Sequence, residues 1–475
     1  MKTVLIIGAG PAGLAAAAAA REGGARVVLL DSAEDVGGQY WRHLPATRPA
    51  RNESLLHHGW STFRSLRERL EGDELCEIVT WAHVWAIEDR NIHVLVGEPD
   101  GTNRDARVYN AAAVVMATGA YDRTLPIPGW ELPGVFTAGG AQALAKGERI
   151  AVGHRVVVGG AGPFLLPVAE SLVVAGSTVV GVYEASHARR LLGTWTTRPW
   201  ELARTASKVT EMLGYVSNHV RHRIPYVTGR AVTAIQGADR VESVTVSAID
   251  RSWAPIAGTQ KTIDVDAVCL GHGFTPRLEL PIAAGCRVNA RRFIEVDEDQ
   301  RTSVAGVFAA GEITGIGGVD LALAEGAIAG HVAAGGAASD MQMRQHRVRR
   351  RRFRQFAARI ESAHGIGENW SKWLTDETII CRCEEVSFGR LNSVAEASQA
   401  TGLRSLKLLT RAGLGICQGR VCGRSVEELL GAHVPGGRLI DGVSSDRRPI
   451  ATPIRLGELA QELDNPAHLE RTNTK

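Results

Sequence analysis

Residues 4–13, VLIIGAGPAG, constrain this chain more than any other stretch. The apolar run Val4, Leu5, Ile6 and Ile7 predicts a buried parallel strand that stops at Gly8. Gly8, Gly10 and Gly13 fall at G-x-G-x-x-G spacing, and an Ala-rich helix is expected over 14–21. Gly8 permits the tight turn, Gly10 lets a pyrophosphate approach backbone N–H groups, and Gly13 lets helix and strand pack closely. The helix N-terminus adds oriented donors and a partial positive charge for that anion. A second strand over 26–30 ends at Asp31, where a carboxylate accepts hydrogen bonds from a ribose diol. A dinucleotide site is expected here, and the fingerprint alone does not separate FAD from NAD.

Downstream, Gly37-Gly38-Gln39-Tyr40-Trp41 allows close backbone approach to a flat ligand, with the aromatic pair either walling it or packing in the core. No cysteine pair stands in this region, which argues against dithiol chemistry at a flavin. A helix is expected over 53–75, short strands at 78–79, 83–87 and 93–96, and a turn at Pro99-Asp100-Gly101. A buried strand over 112–116 then ends in Ala117-Thr118-Gly119, from which the chain passes to a second domain.

The opening plan repeats from Arg155. A strand over 156–158, the turn Gly159-Gly160-Ala161-Gly162-Pro163, a helix over 165–175 and a strand over 178–183 ending at Glu184 form a second βαβ unit. Leu165 stands where the third glycine belongs and should push helix from strand. A relic, or a site reused for another nucleotide, is therefore expected in preference to a working NAD(P)H site. Trp195, Trp200, His219 and His222 lie in a segment that either reaches a substrate or, the preferred reading, is solvated helix surface. The strand over 266–270 ends in Gly271-His272-Gly273-Phe274, the counterpart of the Ala117-Thr118-Gly119 turn. The chain then returns to the first unit through a strand ending at Gly311-Glu312. A carboxylate there suits the ribityl hydroxyls of a flavin, and a helix from about Gly318 would point its positive end at the flavin's pyrimidine edge. NAD has no ribityl chain, so this segment favours FAD. The basic run over 344–359 reads as a surface helix, either solvated or a protein-docking patch.

Near the C-terminal end, Cys381, Cys383, Cys417 and Cys422 form the pattern C-x-C … C-x4-C on two glycine-bearing turns. Helices are expected over 388–401, 405–409 and 425–431. Four thiolates fit a zinc ion or a [2Fe–2S] cluster. Structural zinc sites usually use C-x2-C knuckles, so C-x-C favours iron–sulfur. The remaining cysteines, Cys76, Cys269 and Cys286, read as core packing. A net charge of +3 gives no pointer to nucleic acid or a membrane surface. No signal peptide or membrane span is evident, and a cytoplasmic protein is expected.

With these regions in view, the first 335 or so residues resemble the two-dinucleotide-domain flavoprotein disulfide-reductase superfamily, on Gly8/Gly10/Gly13, Ala117-Thr118-Gly119 and Gly311-Glu312. Residues 379–430 resemble the bacterioferritin-associated-ferredoxin (BFD) type [2Fe–2S] domain. That fusion is similar to the large (A, or α) component of opine oxidases, a family that includes the B component of hydrogen cyanide synthase and the α components of dye-linked proline or hydroxyproline dehydrogenases. The resemblance implies an α/β fold with two Rossmann-like domains, the second inserted in the first, and a small helical [2Fe–2S] domain. The expected bounds are 1–150 and 276–340 for the FAD domain, 151–275 for the second domain, 341–378 for a basic linker helix, and 379–475 for the cluster domain and tail. It implies that Gly8, Gly10, Gly13, Asp31, Gly38, Gln39, Gly119, Gly311 and Glu312 hold FAD, and that Cys381, Cys383, Cys417 and Cys422 hold the cluster. Some relatives carry FMN at the α/β interface and some hold ATP in a nucleotide-binding half. In the family a β subunit of the D-amino-acid-oxidase type oxidises an amine, often with a small ferredoxin-like γ subunit. This chain would then relay electrons to a quinone or respiratory acceptor, with peripheral association at the inner membrane. No catalytic side chain is singled out on it. A competing expectation is a self-sufficient NAD(P)H-dependent ferredoxin or nitrite-type reductase, and a third is a redox-sensing or iron-handling binding protein.

Overall fold

The computed structural model describes residues 1–45, 47–48, 53–88, 91–197, 206–437, 439, 441, 446–448 and 450–463. Trp200 lies outside the described residues. The chain divides into two compact units, one of Met1–Ala120, Pro276–Arg351 and Arg447–Lys475, the other of Tyr121–Thr275 and Arg352–Asp446. Among the described residues no helix is long and apolar enough to cross a membrane.

In the first unit five parallel strands run in the spatial order Val307–Ala309, Ala113–Met116, Thr3–Ile7, Arg26–Leu30, Cys76–Val79. Apart from the edge strand Cys76–Val79, which carries exposed Glu77, their apolar runs suit a sheet covered on both faces. Helices Pro11–Glu22, Trp60–Glu71 and Gly318–Ala334 pack with one face, and an antiparallel sheet of Ala82–Glu88, Asn91–Val96 and Asp105–Asn110 packs with the other. Alanine and glycine set the helix spacing. A Cβ on Gly326 would come within 2.0 Å of the Ala12 carbonyl oxygen, and one on Gly330 equally close to that of Ala16. Backbone therefore meets backbone between Pro11–Glu22 and Gly318–Ala334.

The helix expected over 53–75 is two helices, Glu53–Leu56 and Trp60–Glu71, because Gly59 turns left-handed at φ +69° between them. Trp41 is a core residue packed at a tilt against Phe63, with its Nε1–H donated to the His58 carbonyl at 3.1 Å, and it has no exposed surface with which to wall a ligand. The strand Asp105–Asn110 has no apolar run to announce it. Described residues from Arg447 onward, expected from sequence to accompany the cysteines, belong to this first unit. The Ala451 N–H donates to the Trp85 carbonyl at 2.7 Å, and Ile450, Ile454 and Leu459 pack on Trp85, Ala86 and Leu95. Arg104 grips Glu458 bidentately at 2.7 and 2.6 Å, both side chains buried.

The second unit repeats the plan with parallel strands Tyr226–Thr228, Thr178–Glu184, Arg155–Gly160, Ala267–Gly271 and Val135–Thr137, the last preceding the others in the chain. The antiparallel sheet Arg230–Gln236, Ser243–Ala248, Lys261–Asp264 corresponds to that of the first unit. Helix Leu165–Val174 begins two residues beyond Pro163, whereas Pro11 itself opens its helix. Buried Leu165 is the physical reason: Gly13 could carry no Cβ, since one would lie 1.7 Å from the Gly8 carbonyl oxygen.

The cysteine-bearing residues share one hydrophobic core with this second fold. Trp253 and Trp373 stack with centroids 5.7 Å apart, Trp373 Nε1–H donates to the Trp253 carbonyl at 2.7 Å, and Trp130 Nε1–H donates to the Ile379 carbonyl at 2.5 Å. His219, read as solvated, is buried with Nδ1 2.9 Å from the Tyr215 carbonyl. The basic run forms the helix Arg344–His364. Much of its charge is used internally: Arg349 pairs with Asp320, and buried Arg350 donates to the Glu298 carbonyl at 2.5 Å and Gln300 Oε1 at 3.2 Å. Cys269 and Cys286 are buried, and Cys76 is half-buried in its strand.

Candidate cofactor sites

Around the first helix N-terminus the structure gathers most of the residues singled out from sequence. A Cβ on Gly38 would stand 2.8 Å from Gly10 Cα, so the two backbones cross at a separation only glycines permit. The Gly37 N–H donates to the Ala9 carbonyl at 2.8 Å, pinning this crossing. Gly8 abuts the Ala117 carbonyl ahead of Gly119, and Gly311 abuts Ala12. A bare backbone cradle thus opens at the positive end of the helix Pro11–Glu22, as a pyrophosphate requires.

Asp31 closes the turn from below. Its Oδ2 accepts from the Ala9 N–H at 2.5 Å and its Oδ1 from the Ala33 N–H at 2.8 Å. Burial raises its pKa against those donors and against the charges of Arg277 and Arg42. Neither arginine was legible as a site residue. Arg277 arrives from far along the chain, its N–H donating to the Gly119 carbonyl at 3.0 Å and its carbonyl accepting from the Thr118 hydroxyl at 3.1 Å. Gln39 is exposed, with Oε1 accepting from Arg42 Nε at 3.1 Å. Glu312 Oε1 accepts from the Gly318 N–H at 2.9 Å. Burial pushes its carboxyl up to about 7, with the Gly318 N–H opposing and the Glu325 charge adding. Glu325 is fully buried, accepting from the Gly311 N–H at 3.1 Å and the Thr314 hydroxyl at 2.6 Å.

The matching acid of the second fold has a different setting. Glu184 has no exposed surface. Its Oε2 accepts from the Gly162 N–H at 2.9 Å and its Oε1 from the Ser186 N–H at 3.0 Å, the same bonding that Asp31 shows. In addition the Tyr226 hydroxyl donates to Oε2 at 3.1 Å and His364 Nδ1 lies 3.3 Å away. Glu184 Oε2 is thus engaged by side chains of the protein as well as by backbone N–H. His272, on the following turn, is buried beside Trp253 and Trp373, and burial lowers its pKa to about 3.

The four clustered cysteines come from one β-hairpin and one loop between two helices. Cys381 ends the strand Ile379–Cys381, Cys383 lies in the turn before Val386–Ser387, Cys417 lies in the loop after helix Leu403–Thr410, and Cys422 caps helix Gly423–Gly431. Their thiols touch in sequence: Cys381 with Cys422, Cys422 with Cys417, Cys417 with Cys383. The Cys422 thiol holds Cys381 down to about 6 and also lowers Cys417, while those two contacts raise Cys422. Backbone N–H groups converge on the sulfurs, from Gly413 and Glu384 onto Cys381 and from Val421 and Gly419 onto Cys417. Among the described residues no three metal-ligating side chains converge on a single ion position. Four cysteine thiols served by converging N–H donors supply the ligand set that a [2Fe–2S] cluster requires. A Cβ on Gly415 would lie 2.3 Å from Cys383 Cβ, so only glycine lets this loop close over the quartet.

Residues 2–330 match the pyridine nucleotide-disulphide oxidoreductase family, and residues 379–432 match the BFD-like [2Fe-2S] binding domain. The A component of opine oxidase from Rhizobium meliloti is 31% identical, over 96% of this chain and 87% of its own. The chain belongs to the family of opine oxidase A components. The HcnB component of hydrogen cyanide synthase from Pseudomonas protegens is 30% identical over 88% of this chain and 89% of its own. L-proline dehydrogenase from P. horikoshii has the same fold, with a TM-score of 0.66 at 21% identity, over 96% of this chain and 79% of that one. The protein is an FAD-dependent oxidoreductase whose cofactors are FAD and a [2Fe–2S] cluster.

Proposed function

We propose that this chain is the electron-transfer subunit of a multi-subunit amine or opine dehydrogenase. The observation that carries the reading is the pairing, in one polypeptide, of a dinucleotide cradle lacking a nearby dithiol with a cysteine quartet ringed by N–H donors. Gly8, Gly10, Gly13, Asp31, Gly38, Gln39, Gly119, Gly311 and Glu312 would hold FAD, joined by Arg42 and Arg277 near Asp31. Cys381, Cys383, Cys417 and Cys422 would hold the cluster. A flavin takes two electrons and releases them singly, and an iron–sulfur cluster carries one, so the pair couples a two-electron oxidation to a one-electron acceptor. The chain's own residues bind and orient the groups. Backbone N–H groups at Gly10 and Gly38 offer the pyrophosphate its donors, and those around Cys381 and Cys417 offset thiolate charge.

Support for a heteromeric assembly comes from the relatives, each itself one component of a larger enzyme. In this reading a partner flavoprotein of the D-amino-acid-oxidase type oxidises the amine, a small ferredoxin-like protein is a further component, and electrons leave to a quinone or respiratory carrier on the cytoplasmic side of the membrane. The test is to co-express the chain with its genomic neighbours and to screen opines, proline analogues and glycine by dye reduction. Flavin, iron and sulfide are expected in the purified chain, with substrate-dependent reduction only when the partner is present. Colourless protein, or protein holding zinc and no iron, would remove the basis of the reading.

A further inference from the structure

Three large apolar side chains flank the cysteine quartet without cover. Ile416 is 88% exposed, Val421 45% and Leu414 42%, and all three lie within four residues of Cys417. Single exposed apolar residues are ordinary, but a group on the turns that carry two thiols is a clustered patch. They attend the outward side of the quartet, since Cys383 is exposed and Cys417 half-buried while Cys381 and Cys422 are buried. Gly415 rests on Cys383, so Leu414 and Ile416 flank the residue that touches the exposed thiol.

The segment that carries the quartet bears charge predominantly of one sign. From Cys381 to Cys422 there are six Arg and Lys against three Glu, an excess as large as the net +3 of the whole chain. Glu384 is already paired with Arg411 at 2.6 Å. Arg382, Arg404 and Arg411 are exposed. Apolar contact at the centre with charge around it is the anatomy of a transient protein interface, where the charge steers encounter and selects the partner's sign.

We propose that Leu414, Ile416 and Val421, with the cationic side chains around them, form the docking face for an acidic one-electron carrier protein. The proposal rests on the electron-transfer reading above and names its exit. With a cluster held by the four cysteines, the Cys383–Cys417 edge would be its outward side, and one equivalent lost there would be one gained by the carrier's metal centre, with no bond formed and no proton moved.

The test uses the full-length chain with flavin and iron content confirmed. The immobilised protein is titrated with cytochrome b5, a carrier with an acidic haem rim, and with cytochrome c, whose rim is basic. Cytochrome b5 is expected to bind the more tightly, and to lose affinity about tenfold between roughly 50 and 300 mM salt. Ile416→Asp and Val421→Asp should each weaken it about tenfold with the visible spectrum unchanged. Equal affinity for the two cytochromes, salt-independent binding, or undiminished binding by both variants would overturn the docking face. A parent chain that holds iron and binds cytochrome b5, yet once reduced passes no electron to it, would overturn the electron-transfer reading instead.

Discussion

Glu184 Oε2 lies 3.3 Å from His364 Nδ1 and 3.1 Å from the Tyr226 hydroxyl, fully buried at the end of its strand. Asp31, the equivalent acid of the first unit, is held by the same pair of backbone bonds, from Ala9 and Ala33. The tyrosine and histidine contacts are what Glu184 adds. These contacts engage the acid that, by analogy with Asp31, would otherwise read a pyridine nucleotide's ribose. Stopped-flow mixing with NADH or NADPH is expected to leave the flavin absorbance unchanged. Rapid bleaching would restore this fold as a working nucleotide site and favour a self-sufficient reductase.

The contact of Gly330 with Ala16 predicts a steric penalty. Gly330→Ala is expected to destabilise the chain by about 2–3 kcal/mol, because neither backbone can retreat from a buried helix pair. Gly457→Ala, in a helix with open space around the position, should instead stabilise by up to about 1 kcal/mol. Urea unfolding midpoints of the two variants would move in opposite directions.

Glu312 makes stability pH-dependent in the flavin-free protein. Its folded pKa is pushed up to about 7 from 4.5 by burial, so between these values the folded state binds the extra proton. Stability from this group is present below about pH 4.5 and falls as pH rises through 7, by up to roughly 3 kcal/mol. Glu312→Gln should flatten that slope, and unfolding midpoints at pH 5 and pH 8 would show it.

Arg104 and Glu458 form a buried bidentate pair that fastens the C-terminal helix. Arg104→Met strands a buried carboxylate and should cost about 3 kcal/mol. Arg104 lowers the Glu458 pKa, so the pair's contribution is present at neutral pH and is lost as the solution is acidified through the carboxylate range. Limited proteolysis should release the tail from the variant first, and equal cleavage of both proteins would count against the clamp.

At the cysteine quartet, Gly415→Ala places a methyl against Cys383. Iron content and visible absorbance from the cluster are expected to fall severalfold while flavin content holds. Cys381→Ser should give the same outcome through loss of a ligand, and iron retained in both variants would break the assignment of these turns.

The strand, glycine turn and helix at 3–22 were legible because each part is a local pattern: an apolar run, a glycine spacing, an alanine-rich stretch. The same holds for the second βαβ unit, including the displacement of its helix by Leu165. The cysteine quartet was legible through spacing alone. Trp41 was ambiguous because an aromatic residue serves core and ligand equally, and His219, read as solvated, is buried by packing that no local pattern records. The break at Gly59 lay within a helical pattern that neighbouring residues mask.

Sequence by itself determined the two dinucleotide-type units, the flavin-favouring return segment and the four-thiol site, since turn geometry and ligand chemistry act between near neighbours. Tertiary structure alone decided what closes on them. Arg277 reaches Gly119, His364 reaches Glu184, and Glu458 reaches Arg104, each across a separation that no local pattern records. Such pairs form because a folded core brings distant segments within a few ångströms and then makes any buried charge without a partner costly.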